Sequence, residues 1–282
     1  MAVPSQLLAP RSTVRFRPPR FGLGGSHLGE PDEQTALATV DAAYQAGIRF
    51  FDTSPAYGES ERRLGTALQR RPRGELLVST RVLGEDPEES IRKSAERLGL
   101  AIDVAFAQQA PQPEHAPHST PEERASGGIP GKVFDVLGQL RRDGLVRAVG
   151  VVGGDWAGLE QTVRNVELDC VLLTDRYSLI DQQAKPLLDT CLARGVSVLV
   201  AGALVLQPET VRARRISAVC ERYGVSLPQA ALAFPGRHPA VTSVLITAAS
   251  PAEIRADAAL VRQPVPERLW KDQELGRLLS SE

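Results

Sequence analysis

The sequence predicts a single-domain α/β fold, the (β/α)8 or TIM barrel. Apolar runs of four to six residues alternate with amphipathic stretches along nearly the whole chain of 282 residues. That alternation is the pattern of parallel strands joined by crossover helices. There are eight such runs, and eight strand–helix units in a chain of this length are typical of a closed barrel. An open, doubly wound sheet would show the same periodicity and remains the alternative.

The predicted strands are the runs rich in Val, Ile, Leu and Phe, and the predicted helices are the amphipathic stretches between them. In chain order the strands are 21–24, 48–51, 76–80, 102–107, 146–151, 170–174, 196–201 and 241–246. The helices are 33–46, 61–69, 87–98, 132–143, 156–165, 184–193, 208–223, 227–234 and 252–261. A left-handed glycine often ends a helix, and glycine follows five of these stretches, at Gly47, Gly99, Gly144, Gly195 and Gly224.

Three regions lie outside this alternation of strands and helices: the two ends of the chain and one internal stretch. We expect an N-terminal extension at 1–20, a barrel at 21–262, and a C-terminal tail at 263–282 that ends in a short helix packed on the barrel or across its rim. Residues 109–131 are rich in Pro, Gly, His and Ser and have no apolar period. They predict a long loop over the C-terminal mouth, which serves either as a mobile surface insertion or as a lid.

The bulk composition favours a small-molecule partner. With 42% hydrophobic residues, a formal net charge of −1 and a pI near 6.5, the chain has no basic surface to neutralise phosphates. We therefore expect neither nucleic acid nor an anionic membrane as a partner. The N-terminus has no apolar signal region, and no run reaches the ~18 apolar residues of a membrane span, so we expect a cytoplasmic protein. A monomer or homodimer is expected.

Cysteine and histidine give no strong metal signal. Cys170, Cys191 and Cys220 are widely spaced among apolar or helical neighbours, so we interpret them as reduced packing residues. His115 and His118 are three residues apart in the long loop, a spacing that suits a metal, but solvated loop histidines are far more common. We therefore expect no metal site.

Asp52 and Tyr57 are the strongest functional signal. They are five residues apart, where an apolar strand gives way to a loop and then a helix. In a barrel the strand ends at the C-terminal mouth carry the catalytic residues. A phenol held beside a carboxylate can donate a proton to a substrate oxygen, so we interpret Tyr57 as a general acid or base and Asp52 as its partner.

Four segments carry a resemblance to a known family. They are 22–24 in the first strand, 51–61 around Asp52 and Tyr57, 144–151 at the fifth strand, and 176–181 after the sixth. With these segments the chain resembles the aldo-keto reductases, NADP-dependent (β/α)8 enzymes. It is most similar to the branch that includes bacterial sugar and galactose dehydrogenases. The resemblance implies the barrel fold and a small carbonyl or hydroxyl metabolite as substrate.

The resemblance also implies a catalytic set of Asp, Tyr, Lys and His, of which Asp52 and Tyr57 match two. Arg81 stands where the family has Lys, and Gln108 stands where it has His. A guanidinium is planar and forked and cannot take the place of an ammonium beside a phenol, so Arg81 either pairs with Asp52 as a buried fork or takes part in catalysis. The Gln108 amide can orient a carbonyl but does not titrate near neutral pH.

Three further residues are candidate substrate contacts. His27 follows the first strand, where it serves as a substrate contact, a second proton carrier or an ordinary surface residue. Tyr177 belongs to the segment after the sixth strand, and Trp156 opens a predicted helix, a position that also suits packing.

The cofactor positions implied by the resemblance are changed. The family holds the nicotinamide amide with Ser, Asn and Gln at the ends of the fifth and sixth strands and stacks its ring on an aromatic. Here those places read Val151 to Gly154, Thr174 and Ala201, and 202–205 replaces the Ser-Pro-Leu-Gly of the pyrophosphate loop. Several missing polar contacts, each worth about 1–2 kcal/mol, would weaken dinucleotide binding by orders of magnitude.

The turn that binds the 2′-phosphate in the family is changed as well. Its Gly-Ala-Lys/Arg-Ser sequence becomes Thr-Ala-Ala-Ser at 247–250, which leaves Ser250 and Arg255 as weak cofactor candidates. The sequence therefore predicts that no cofactor is used, with NADP as the alternative.

Three functions stay open at this point. The main hypothesis is a cofactor-independent proton transfer by Tyr57, such as a dehydration, isomerisation or cyclisation. The alternative is an NADP-dependent reductase or dehydrogenase with an altered catalytic set. The third is a non-catalytic binding protein on the same fold.

Overall fold

Eight parallel strands close into one barrel in chain order, each paired with the next and the last with the first. The computed structural model describes residues 14–83, 86–109 and 128–280. The strands are β1 Phe21–Gly24, β2 Phe50–Asp52, β3 Leu77–Val82, β4 Val104–Gln108, β5 Ala148–Gly153, β6 Cys170–Thr174, β7 Ser197–Ala201 and β8 Val241–Thr247. The predicted barrel is confirmed, and the open sheet is wrong because β1 pairs with both β2 and β8.

Helices cover the outside of the barrel. They are α1 Glu33–Gln45, α2 Ser60–Leu68, α3 Pro87–Leu98, α4 Gly131–Arg142, α5 Trp156–Asn165, α6 Lys185–Arg194, α7 Val211–Arg222, α8 Leu227–Ala233 and α9 Pro251–Arg262, followed by α10 Glu267–Trp270 and α11 Gln273–Ser280. All five glycines expected to end helices have left-handed backbone angles. The helix ends therefore lie close to where the sequence places them.

Several strands are shifted toward the C-terminus relative to the sequence prediction. The predicted second strand starts at Ile48, but pairing with β1 begins only at Phe50 and continues to Asp52. The predicted third strand ends at Thr80, whereas β3 pairs with β4 as far as Val82. Hydrophobicity alone misses these ends because a polar residue, Asp52 in β2 and Arg81 in β3, interrupts the apolar run near the end of the strand.

Two apolar layers stabilise the barrel. One fills its interior and includes Phe50, Phe106 and Leu172, each fully buried. The other, much larger, lies between the strands and the helices. Side chains alternate between the two faces of a strand, so this division fixes which residues face the barrel interior.

The N-terminal segment packs at the amino end of the barrel. Phe16 packs against the interior layer, and its carbonyl accepts a hydrogen bond from the Ser197 hydroxyl at the start of β7. The Arg15 N–H donates to the Gly195 carbonyl at 3.0 Å. Part of the predicted N-terminal extension is thus a plug at the end of the barrel opposite the mouth.

The tail forms two short helices where the sequence predicts one. Leu275 and Leu278 of α11 are buried against the helical layer, and α11 packs on α7. The Tyr223 hydroxyl donates to Asp272 at 2.8 Å and fixes the turn between the two helices. The long loop expected at 109–131, including His115 and His118, lies almost wholly outside the described residues.

None of the helices in the described ranges has both the length and the apolar character needed to cross a lipid bilayer. The three cysteines are free and buried, and burial raises the pKa of Cys191 to about 12 and that of Cys220 to about 11. Such thiols are protonated at neutral pH and act as packing groups.

A close helix contact generates the first prediction. A Cβ on Gly65 of α2 would lie 1.9 Å from the Leu98 carbonyl oxygen at the end of α3. Alanine favours a helix more than glycine does, but the added methyl group of Gly65→Ala would push the backbones of α2 and α3 apart. We therefore expect a loss of about 1–3 kcal/mol in the free energy of unfolding. Urea denaturation measures it.

Gly276→Ala is the matched control, because a Cβ there meets nothing within 4 Å. It is expected to raise the free energy of unfolding by about 0.5–1 kcal/mol. Equal stability of Gly65→Ala and the unaltered protein would show that α2 and α3 do not approach so closely.

Candidate active site

The strand register brings three polar side chains together at the carboxyl end of the barrel. Asp52, Arg81 and Gln108 lie at the ends of the neighbouring strands β2, β3 and β4. In each strand the residue two or four positions earlier belongs to the interior layer. Because side chains alternate along a strand, these three also face inward, above the apolar filling.

Asp52 is held by two groups on β3. Its Oδ1 accepts a hydrogen bond of 2.6 Å from the Ser79 hydroxyl, and its Oδ2 lies 3.7 Å from Nη2 of Arg81. The carboxylate is buried, with 2% of the side chain exposed, and Arg81 is 12% exposed. The pair is a single ion contact rather than the two parallel hydrogen bonds of a fork.

Arg81 connects the other members of the site. Its Nη1 donates to Gln108 Oε1 at 3.2 Å, and its Cζ lies 4.9 Å from the centre of the Tyr57 ring. Its buried Nε has no hydrogen-bond partner among the described residues. The guanidinium therefore joins Asp52, Gln108 and Tyr57 and keeps one donor unused.

Short hydrogen bonds fix the loop that presents Tyr57. The Tyr57 N–H donates to the Ser54 carbonyl, and the Tyr57 carbonyl accepts from the Ser60 N–H, both at 3.0 Å. The Ser60 hydroxyl donates to the Gly25 carbonyl at 2.8 Å and lies 2.9 Å from the Thr53 hydroxyl. The loop after β2 is thus tied to the loop after β1, and Tyr57 stays half-buried over Arg81.

The buried carboxylate of Glu61 supports the site from the outward face of β3. Glu61, only 1% exposed, accepts 2.7 Å and 2.6 Å hydrogen bonds from the Thr80 hydroxyl and Arg97 Nε. Thr80 is the outward neighbour of the inward Ser79. Neither Ser79 nor Glu61 is predicted as a site residue, although two adjacent hydroxyl residues inside an apolar strand indicate that both faces of the strand carry buried polar partners.

Burial has the largest effect on the pKa values of Asp52 and Tyr57. It raises the pKa of Asp52 above its ordinary value, and Arg81 and the Ser79 hydroxyl oppose that rise. It also raises the pKa of Tyr57 above its ordinary 10.0, where Arg81 lowers it and Asp52 raises it further. The phenol is consequently protonated throughout the neutral range, the form that can donate a proton.

The three candidate substrate contacts occupy different places. His27 is exposed in the single helical turn Gly25–His27 that follows β1 at the mouth. Trp156 opens α5 and is half-buried against the outer apolar layer. Tyr177 is buried in the helical layer, 5.6 Å from the Phe234 ring and edge-on to His238, and burial raises its pKa to about 12. The structure therefore brings Arg81 and Gln108, but not Tyr177, to Tyr57.

The loops after β5 and β6 form the opposite half of the mouth. Gln109, which directly follows β4, is buried, and its side chain accepts a hydrogen bond of 3.2 Å from the Asp155 N–H in the loop after β5. A Cβ on Gly153, the last residue of β5, would lie 2.1 Å from the Gln109 Oε1. After β6, Asp175 and Arg176 both have left-handed backbones, with φ of 68° and 61°. Such conformations are uncommon outside glycine, so the packing around this strand end must hold them.

The start of α9 completes the mouth after β8. Ser250 caps the helix, its hydroxyl accepting from the Glu253 N–H at 3.3 Å, and the Glu253 carboxylate accepts from the Ala249 N–H at 2.9 Å. Arg255 is exposed and lines a crevice between α9 and α1, together with Asp41. Both cofactor candidates thus lie on the first turns of one helix.

Comparison with known proteins gives one consistent match. A family profile described as "Aldo/keto reductase family" matches residues 20–272. D-threo-aldose 1-dehydrogenase of Pseudomonas sp is 29% identical over 93% of this chain and 94% of its own length. The NADH-specific methylglyoxal reductase of Escherichia coli K12 is 25% identical over 85% of this chain and 86% of its own. An aldo-keto reductase from Bacillus halodurans shares the fold, with a TM-score of 0.73 at 18% identity over 92% and 91% of the two chains.

These matches correct the expectation about the cofactor. The sequence analysis predicts that none is used, but the relatives are named dehydrogenases and reductases, and one is named for NADH. That expectation is wrong. The relatives also support the alternative, an NADP-dependent reductase or dehydrogenase, better than a cofactor-independent reaction. Changed side chains are a poor guide here because backbone N–H groups can also bind phosphate.

A double-mutant cycle tests the buried pair. Removing one partner leaves the other as an unpaired buried charge. Asp52→Asn and Arg81→Met are therefore each expected to lower the free energy of unfolding by about 3 kcal/mol. The double variant removes both charges, and its loss is expected to fall short of the sum by about 1 kcal/mol or more. Urea unfolding of the four proteins gives these values. Strictly additive losses would mean that the two side chains do not interact.

Proposed function

The chain belongs to the aldo/keto reductase family, and from this premise we propose that it is an NAD(P)-linked oxidoreductase of small carbonyl or hydroxyl compounds. The observation that carries the proposal is the protonated Tyr57 phenol held over the Arg81–Asp52 pair at the mouth. The names of its relatives favour an aldose or a small aldehyde as substrate.

The residues present fit the phosphate-bearing part of a dinucleotide. Gly202, after β7, has a φ of 78°, and a Cβ there would lie 2.6 Å from Asp175 Oδ1. Within the described residues, the N–H groups of Ala203 and Leu204 that follow form no backbone hydrogen bond. Successive free N–H groups in a turn make a cradle for an anion, and barrels often bind phosphate at the loops after strands seven and eight.

The dinucleotide would therefore be held by the backbone of 202–204 and by the start of α9 with Ser250 and Arg255. When bound, it accepts or supplies the hydride at the substrate carbon. The rest of the chemistry belongs to the side chains at the ends of β2 to β4.

Tyr57 moves the proton at the substrate oxygen. In reduction its hydroxyl donates a proton to the carbonyl oxygen, and in oxidation the phenolate takes the proton from the alcohol. Gln108 is placed by its bond to Arg81 to orient the same oxygen, and His27 stands at the rim where a larger substrate passes.

Arg81 and Asp52 set the charge around the phenol. Arg81 favours the phenolate, and Asp52 opposes it while neutralising the guanidinium. Because the guanidinium lies over the ring face at 4.9 Å, its charge acts on the ring as a whole. Tyr57 thus stays protonated at neutral pH and can act as a proton donor.

Loss of the phenol hydroxyl tests the proposed role. Tyr57→Phe is expected to lower kcat/KM by about 100-fold or more while dinucleotide affinity stays unchanged. Activity is followed by NAD(P)H absorbance with a panel of aldoses and with methylglyoxal, and affinity by calorimetric titration. Tyr44→Phe removes an equivalent hydroxyl, bonded to Glu75 on the surface, and should leave both quantities unchanged. Full activity of Tyr57→Phe would overturn the role of Tyr57.

The pH dependence tests the part played by Arg81. Reduction needs the phenol, so its rate should stay level through neutral pH and fall only as pH rises through the elevated pKa of Tyr57; oxidation should rise over the same interval. Arg81→Met removes a charge that lowers this pKa, so the rise in oxidation should move to higher pH. Arg81→Lys keeps a positive charge, so its profile should shift less than that of Arg81→Met. An unshifted profile in Arg81→Met would contradict the assignment.

A further inference from the structure

We propose that Arg81 recognises a carboxylate bonded directly to the reacting carbon, so that the substrates of this protein are 2-oxo acids and the corresponding 2-hydroxy acids. The inference rests on the proposed function, which places the substrate carbonyl at the Tyr57 hydroxyl. It goes further by naming the class of substrate and the residue that selects it.

The Arg81 guanidinium has more N–H donors than the described residues supply acceptors. An arginine side chain carries five N–H donors in a planar fork. Nη1 donates to Gln108 Oε1 at 3.2 Å, and Asp52 Oδ2 lies 3.7 Å from Nη2, which is too long for a hydrogen bond. The buried Nε has no partner within the described part of the chain. A buried donor without an acceptor is costly, so the unfilled donors of Arg81 point to a ligand with acceptor oxygens.

A purely structural role of Arg81 does not account for these contacts. A structural fork would bring both oxygens of Asp52 to the guanidinium. Instead, Asp52 Oδ1 accepts a hydrogen bond of 2.6 Å from the Ser79 hydroxyl, and Oδ2 makes the contact with Arg81. The Gln108 amide is fixed on its other side, where its Nε2 donates to the Gln109 carbonyl at 3.2 Å. These neighbours set the plane of the guanidinium but do not saturate its donors.

The guanidinium and the phenol lie close enough to contact one small molecule. Arg81 Cζ is 4.9 Å from the centre of the Tyr57 ring. Both side chains reach the mouth, since Tyr57 is half-buried and 12% of the Arg81 side chain is exposed. When the carbonyl oxygen of a substrate lies at the phenol, a carboxylate on the neighbouring carbon lies within reach of the guanidinium. A carboxylate several bonds away would have to fold back to make the same contact.

A carboxylate is the group that suits this arginine. Its two oxygens match the planar fork of a guanidinium, whereas an ammonium in the same place would act only as a point charge. Asp52 lies deeper, with 2% of its side chain exposed, so the side of the guanidinium that faces the mouth remains for a substrate. A neutral aldehyde or ester lacks the charge, so its hydrogen bonds to Arg81 are weaker.

The test compares each acid with its neutral methyl ester, which keeps the same reacting carbonyl. Initial rates of the full chain with NADH and with NADPH are measured for pyruvate and methyl pyruvate, and for glyoxylate and methyl glyoxylate. The acid of each pair is expected to have a kcat/KM about tenfold higher or more, since charge-assisted hydrogen bonds are roughly twice as strong as neutral ones.

Substitutions of Arg81 show whether this residue causes the preference. Arg81→Gln removes the charge and should lower the ratio of the two kcat/KM values, acid over ester, by about tenfold or more. Arg81→Lys keeps a positive charge but loses the fork, so its ratio should lie between those of the unaltered protein and Arg81→Gln. A changed pKa of Tyr57 acts on both members of a pair, so the ratio reports on the carboxylate. Arg176→Gln is the matched control, because Arg176 is exposed on the opposite half of the mouth, and it should leave the ratio unchanged.

A binding measurement covers the case in which the Arg81 variants do not fold. Calorimetric titration of the unaltered protein, in the presence of saturating NADH or NADPH, compares oxamate with oxamide. The two compounds have nearly the same shape, but only oxamate carries a carboxylate. Oxamate is expected to bind about tenfold tighter or more.

The outcomes separate the two proposals. The preference for acids is overturned by equal or faster turnover of the esters, by an unchanged ratio in folded Arg81→Gln, or by oxamide that binds as tightly as oxamate. It is also overturned if an aldose or methylglyoxal is reduced while the acids do not react. Each of these results leaves the proposed function intact. If no carbonyl compound is reduced with either dinucleotide, the proposed function itself fails. Thermal unfolding of each variant establishes which proteins are folded.

Discussion

The buried contact between Asp52 and Arg81 is the constraint on which the site depends. Two opposite charges lie at the top of an apolar barrel, where neither is stable without the other. Ser79 fixes one side of the carboxylate, while Gln108 and the Tyr57 ring fix the guanidinium. Hydrogen bonds hold the loop that carries Tyr57, and the Arg81 guanidinium lies over the Tyr57 ring, so both together set the position of the phenol.

Replacing an ammonium by a guanidinium changes how a neighbouring phenol is tuned. An ammonium acts as a point charge, whereas the guanidinium of Arg81 spreads its charge over a plane and shares it among Asp52, Gln108 and the ring of Tyr57. Burial then dominates, and the phenol keeps its proton. A change in the pKa of the phenol would alter the pH range in which each direction of the proposed reaction is fast, while the equilibrium of the reaction stays the same.

The sequence predicts the barrel well because its signals are local and repeated. Apolar runs give eight strands, and five glycines locate helix ends. Strand ends are less predictable because inward polar residues such as Asp52 and Gln108 interrupt the apolar pattern. Within the site, the pairing of Arg81 with Asp52 could be anticipated, but the support from Ser79 and Glu61 could not, since it depends on register between strands. The expectation that no cofactor is used is wrong for a different reason: changed polar side chains do not exclude a dinucleotide, because backbone N–H groups, which can also bind phosphate, leave no signature in the sequence.

The segment around Phe16 covers the end of the barrel opposite the mouth. In the part of the chain that the structure describes, the N-terminal segment packs across the amino end, and aromatic and aliphatic side chains fill the interior. A molecule that contacts the polar groups at the ends of β2 to β4 therefore approaches them from the carboxyl end of the barrel. Packing at the amino end, far from the polar site, in this way determines the side of the barrel from which the site is reached.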